Sequence, residues 1–131
     1  LPHRYAWRTS WPEFYRDCRL LPQMQVAREH GLLNAQREYS IEKIANRIEV
    51  LFQDFDARPS LLHGDLWSGN FIAHENETVL IDPASYIGER EVEIAFIELF
   101  GGFPRGFVAE YNAIFPLQRG YETRRNLHQL Y

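Results

Sequence analysis

The chain is short of lysine, cysteine and long apolar runs, and each shortage closes off a class of function. Lys43 is the only lysine, and 14 basic residues face 18 acidic ones for a net charge of −4. Binding nucleic acid without sequence preference requires a concentrated basic face that releases counterions, so no nucleic-acid partner is expected. A polybasic membrane patch is disfavoured on the same ground. Cys18 stands alone, which excludes an internal disulfide framework and a cysteine-rich zinc site. It falls within the apolar pattern of a helix, where a lone thiol behaves as a small buried hydrophobe. No apolar run approaches the ~20 residues that span a bilayer, and neither end reads as a signal peptide. A soluble, cytoplasmic setting and no membrane partner are the expectations.

Apolar mass, by contrast, is plentiful. With 45% hydrophobic and 15% aromatic residues in 131 positions, the composition is that of a packed globular domain. The sequence starts irregularly and then turns helical, with Ser10 as N-cap and Pro12 in the first turn. Pro22 is expected to kink or divide this helix. Ile41, Ile44, Ile48, Leu51, Phe52 and Phe55 recur at helical spacing, which predicts a second helix from Ser40 to about Phe55. Short strands are predicted at "SLLH", "NFIAH" and "TVLID", the last two joined as a hairpin through a polar turn at 75–77. After Asp82 the pattern returns to helix: "EREVEIAFIELFGG" starts acidic and stops at paired glycines, "PRGFVAEYNAIF" forms a short helix, and "ETRRNLHQLY" begins another. That last helix has no stop signal before Tyr131, and the chain is expected to be incomplete.

The chemistry concentrates in "LLHGDLWSGN", where an apolar run leads straight into His63, Asp65 and Asn70. Asp65 and Asn70 have the D-x-x-x-x-N spacing of a kinase catalytic loop, and Asp82 closes the strand "TVLI". Phosphoryl transfer needs such a division of labour. One carboxylate orients the acceptor hydroxyl and takes its proton, while an amide oxygen and a second carboxylate hold Mg²⁺ against the nucleotide phosphates. If the hairpin forms, Asn70 at the start of one strand meets Asp82 at the end of the other. A lone D-x-x-x-x-N is weak, because Asp and Asn are common in turns; the weight comes from the joint pattern of strand, "HGD", asparagine, hairpin and "LID". His63 reads either as an acid–base group or as a histidine bonded to backbone near Asp82 that fixes the loop. Trp67 reads either as a platform for a sugar face or as a wedge packed beneath the loop. The run Glu89, Arg90, Glu91 and Glu93 reads by default as a solvated helix start.

"LLHGDLWSGN" followed by "LIDPASYIGEREVEIAFIELFGGF" resembles the fructosamine kinase, or ketosamine kinase, family, which sits within the wider group of aminoglycoside-phosphotransferase-like and protein-kinase-like folds. "SWPEFYRDCRLLPQ" extends the likeness over most of the chain. The resemblance implies an α+β fold, namely the mostly helical C-terminal lobe of a kinase-like fold with a small β-hairpin carrying the catalytic loop, over residues 1–131. It implies ATP and Mg²⁺ as cofactors, Asp65 as catalytic base, Asn70 and Asp82 as the metal-holding pair, and Glu93 as the acid that ties its helix to the catalytic loop. The implied reaction moves the γ-phosphate of ATP to a sugar hydroxyl of a ketosamine, free or on a glycated protein, and serves deglycation. No glycine-rich nucleotide loop and no V-A-I-K-like strand occur in the sequence. In the family those parts lie in an N-terminal lobe, so the chain by itself is expected to bind ATP weakly and turn over nothing. Two other readings compete: a kinase of the aminoglycoside or choline type, and a non-catalytic module that keeps the fold to bind a partner.

Overall fold

The computed structural model describes residues 8–75 and 77–131; the irregular start at residues 1–7 lies outside them. Two units emerge from the chain, one reaching to Phe55 and taking in Leu130–Tyr131, the other spanning Asp56–Gln129. The first is helical. Helix α1, Trp11–Tyr15, follows Ser10 with Pro12 in its first turn, although the Ser10 side chain makes no capping bond. The chain then widens into a π-helical segment, Arg16–Leu20, and continues as α2, Leu21–Glu29. This widening is how the interruption at Pro22 is accommodated. Pro22 has no N–H for the Cys18 carbonyl one turn back; the Leu21 N–H reaches instead to Arg16, and Arg19 Nη1 donates to the Cys18 carbonyl at 3.1 Å. Arg19 is buried with Tyr15, Leu20, Met24 and the Cys18 thiol, and its guanidinium lies 4.8 Å from the centre of the Phe14 ring.

The second predicted helix starts earlier and ends earlier than Ser40–Phe55. Helix α3 is Ala35–Ala45, and after a break at 46–47 a short α4 follows, Ile48–Leu51. Asn34, not Ser40, is the cap, its side chain accepting the Arg37 N–H at 2.9 Å. Ser40 sits inside the helix and donates its hydroxyl to the Gln36 carbonyl at 2.8 Å. Of the predicted apolar positions Ile48 and Phe52 are buried and Ile41, Ile44, Leu51 and Phe55 half-buried; Ala45, outside that set, is buried as well.

The second unit carries β1 (Pro59–Leu62), a 3₁₀ turn (Ser68–Asn70), β2 (Phe71–His74), β3 (Glu77–Leu80), β4 (Tyr86–Glu89), α5 (Glu91–Phe100), α6 (Phe107–Ile114) and α7 (Tyr121–His128). The strands make two antiparallel two-stranded sheets, β1–β4 and β2–β3. The predicted hairpin is β2–β3, with Phe71 opposite Leu80 and Ile72 opposite Val79. Of its predicted turn, Glu75 adopts a left-handed φ of 51°, and Asn76 lies outside the described residues. Strand β4 has no counterpart among the predicted elements, because Tyr86–Glu89 becomes a strand only by pairing with β1, Leu62 to Tyr86 and Pro59 to Glu89. Helix α5 ends at Gly101, whose φ of 66° and ψ of −157° belong to a backbone region essentially reserved for glycine. Helix α7 stops at His128. Ile94 and Ile97 on α5 and Tyr121 on α7 form the core of the unit, with Leu66, Phe103, Phe107, Val108, Tyr111 and Leu117 packed against them. Among the described residues no helix is long and apolar enough to cross a membrane.

Candidate active site

The loop after β1 is built from backbone-directed polar bonds. Asn70, 6% exposed, donates through Nδ2 to the Asp65 carboxylate (Oδ2, 2.9 Å) and to the Asp65 carbonyl (2.9 Å). Both hydrogens of the amide are thereby used on one residue, which fixes the orientation of the group and leaves Oδ1 as its uncommitted atom. The Trp67 and Asn70 N–H groups bond back to Asp65 and Trp67 at 3.2 and 3.0 Å, closing the 3₁₀ turn. The Ile81 N–H donates to the Asn70 carbonyl at 3.1 Å, so the hairpin ladder reaches to within one residue of Asp82. Asp82 itself has a φ of 51°, a left-handed conformation that aspartate tolerates better than most residues. Its side chain is exposed. Of the three expected site residues, Asp65 and Asn70 meet through a side-chain bond, and Asp82 follows Ile81, whose N–H bonds the Asn70 carbonyl.

His63 accepts the Asp65 N–H at Nδ1 (3.3 Å) and places Nε2 2.9 Å from the Ile81 carbonyl. A ring nitrogen that accepts leaves the proton on the other, so the pattern is that of the neutral Nε2–H tautomer, with both nitrogens turned to backbone. The Ala84 N–H donates to the His63 carbonyl at 2.9 Å. Gly64 has a φ of +84°, and a Cβ there would fall 2.2 Å from the Ala84 carbonyl oxygen; this position needs glycine for conformation and for space. At Gly69 the requirement is space alone, since a Cβ would lie 2.3 Å from the Trp67 indole. Trp67 therefore folds across Gly69, and it remains 41% exposed.

Helix α5 holds the loop from the other side. Glu93 Oε1 accepts the Gly64 N–H at 2.5 Å. The start of that helix is not solvated, contrary to the default reading: Glu89, Arg90 and Glu91 are 2%, 6% and 0% exposed. Glu91 is held by Arg124 of α7 through two bonds, Nε to Oε2 at 2.7 Å and Nη2 to Oε1 at 2.9 Å. Arg90 donates to Tyr111 Oη and to the carbonyls of Phe115 and Pro116, with its guanidinium 3.8 Å from the centre of the Phe115 ring. Glu89 accepts the Arg58 N–H at 2.8 Å, and burial pushes its carboxyl above the usual range. These partners lie 21 to 33 positions away in sequence, so charge type and spacing could not announce them.

Among the described residues no three His, Cys, Asp or Glu side chains gather closely enough to hold a metal ion. The oxygens on offer are Asn70 Oδ1 and the Asp82 carboxylate. Two hard oxygen donors are the kind of set Mg²⁺ accepts, because that ion keeps several waters and takes its remaining ligands from substrate phosphates.

A family model described as fructosamine kinase matches residues 1–131. Ketosamine-3-kinase of Mus musculus is 38% identical over 100% of this chain and 42% of its own length. A protein of Lactiplantibacillus plantarum named as a probable ketoamine kinase is also 38% identical, over 100% of this chain and 47% of its own. Among solved structures, a protein assigned as fructosamine-3-kinase from Thermobifida fusca superposes with a TM-score of 0.87 at 36% identity, covering 98% of this chain and 45% of that one. The corresponding protein of Haemophilus somnus gives 0.85 at 37% identity, over 98% and 42%. The chain thus spans a little under half the length of the relatives it matches. With a matching family model over every residue and the "HGDLWSGN" loop folded onto the "DPAS" segment, the chain belongs to the fructosamine kinase family.

Proposed function

We propose that the protein carrying this chain transfers the γ-phosphoryl group of ATP to a sugar hydroxyl of a ketosamine, free or attached to protein, and that residues 1–131 are its C-terminal catalytic lobe. The observation that carries this reading is the double donation from Asn70 Nδ2 to Asp65. It orients the Asp65 carboxylate as an acceptor and turns the Asn70 oxygen away from it. Asp65 orients the acceptor hydroxyl and takes its proton as the new O–P bond forms; the bond from the γ-phosphorus to the bridging oxygen breaks, and ADP leaves. Asn70 and Asp82 would hold Mg²⁺, which when bound supplies charge neutralisation at the phosphates. His63 and Glu93 set the backbone at Gly64 and Asp65 in place, and Trp67 offers its exposed indole face to the sugar.

The test is a phosphorylation assay on a protein of the relatives' length that carries this chain, with a ketosamine and Mg-ATP. Asp65→Asn is expected to lower turnover by about 10²- to 10⁴-fold, the usual contribution of a positioned general base, while the thermal midpoint stays close to that of the parent. Turnover that survives the substitution within a small factor would remove Asp65 from the role and the reading with it.

A further inference from the structure

The turn that follows α5 opens a cleft of about 310 Å³ against α6. Ile97, Phe103, Phe107, Val108 and Ala109 form apolar walls, and Glu98 brings a carboxylate to the lining. Glu98 is held by its neighbours: the Tyr121 hydroxyl donates to Oε2 at 2.5 Å, and Arg125 Nη1 stands 3.9 Å from Oε1. Burial, and after it the bond to Glu98, raise the Tyr121 phenol far above its ordinary range. The phenol therefore remains a donor and Glu98 the acceptor.

The cleft adjoins the catalytic loop. A Cβ on Gly102 would lie 2.2 Å from Ser68 Oγ and 2.5 Å from Ser68 Cβ, so Ser68 occupies the space that a side chain at Gly102 would fill. Leu66 packs into the same cluster as Ile97, Phe103, Phe107 and Val108. Leu66 and Ser68 both lie between Asp65 and Asn70 in the loop. A ketosamine has two ends with different chemistry: a polyhydroxyl sugar, and an amine that is cationic at neutral pH with an apolar substituent. An acceptor whose sugar sits at Asp65 must send its amine end elsewhere. Apolar walls with one fixed carboxylate complement that end in both shape of charge and polarity.

We propose that this cleft seats the amine portion of the acceptor, with Glu98 as the counter-charge of its ammonium group and the Ser68–Gly102 contact keeping cleft and catalytic loop in register. The assignment rests on the ketosamine reading above. It is tested in the protein of the relatives' length by comparing the ketosamine of benzylamine with that of methylamine. Ala109→Trp, which fills the cleft, is expected to raise KM for the benzylamine adduct about ten-fold more than for the methylamine adduct. Glu98→Gln is expected to raise KM for both by about five-fold, the worth of one partly exposed ion pair, with KM for ATP unmoved. Methyl NMR supplies a readout independent of turnover: the benzylamine adduct should shift the Ile97, Val108 and Ala109 methyls. Turnover with an unaltered KM ratio and silent methyls would overturn the cleft assignment alone. Methyl shifts in a protein that phosphorylates no ketosamine would instead sink the activity and leave an amine-binding cleft.

Discussion

The loop from His63 to Asn70 and the helix start from Glu89 to Glu91 are both polar runs set in apolar surroundings, yet they are held differently. The loop joins local bonds to a few distant ones, His63 to Ile81 and Ala84 and Gly64 to Glu93. Asn70 bonds to Asp65 five positions back, His63 to the N–H of Asp65, and the turn closes on itself. Asp65 and Trp67 remain partly exposed, while Asn70 is buried. The helix start is held by partners 21 to 33 positions away and is nearly dry. Short-range bonds define a geometry for chemistry; long-range buried charges fix where α5 lies, and α5 in turn brings Glu93 to Gly64. On the proposed function the two regions divide reactivity from stability, and substitutions should separate them.

The largest effect is expected on the dry side. Glu91→Gln leaves the Arg124 guanidinium buried without its bidentate carboxylate, which costs about 3 to 5 kcal/mol. Denaturant unfolding should register that loss; a change within the scatter of surface substitutions would mean that the pair does not anchor α5. A smaller effect should follow from pH. Burial, with Arg124 nearby, holds the His128 imidazole down to a pKa of about 3, against 6.5 for the free side chain. Its folded pKa lies below its unfolded one, so the unfolded chain takes up the proton first. The stabilising term is complete above the unfolded value and is lost as pH falls toward the folded value, by ~1.4 kcal/mol per pH unit. Glu89, whose carboxyl burial raises, works in the other sense. Unfolding free energies measured over this interval should therefore fall less steeply in His128→Gln than in the parent, and parallel slopes would refute the assignment. The smallest effect belongs to the loop: Trp67→Ala should raise KM for a ketosamine by ~3- to 10-fold, the scale of one aromatic contact, with KM for ATP unchanged. Equal rises for both substrates would make Trp67 a packing residue of the loop and nothing more.

How much of this was legible in the sequence follows from the reach of each interaction. The hairpin was legible because two short apolar runs flank a polar turn a few residues long, and β2–β3 pair across it. The proximity of Asp65 and Asn70 was legible for the same reason. Helix limits were not: Asn34 caps α3 ahead of any apolar signal, and Ser40, a good cap by type, spends its hydroxyl on Gln36. Strand β4 was invisible because its only reason to be extended is β1, distant in sequence. Gly64 and Gly69 look alike in the sequence. In the folded chain Gly64 answers to a positive φ and to the Ala84 carbonyl, whereas Gly69 answers to the indole of Trp67.

By itself the order of residues determined the family, the mixed α+β class and the set of oxygen-bearing side chains at 65, 70 and 82, because these depend on chemistry carried within a short window. Only the folded structure decided that Asn70 spends both its amide hydrogens on Asp65, that Glu89, Arg90 and Glu91 are buried, and that Gly102 yields its space to Ser68. Those outcomes depend on which distant group displaces water from a charge or a carbonyl, and desolvation is a property of neighbours in space, which no local pattern encodes.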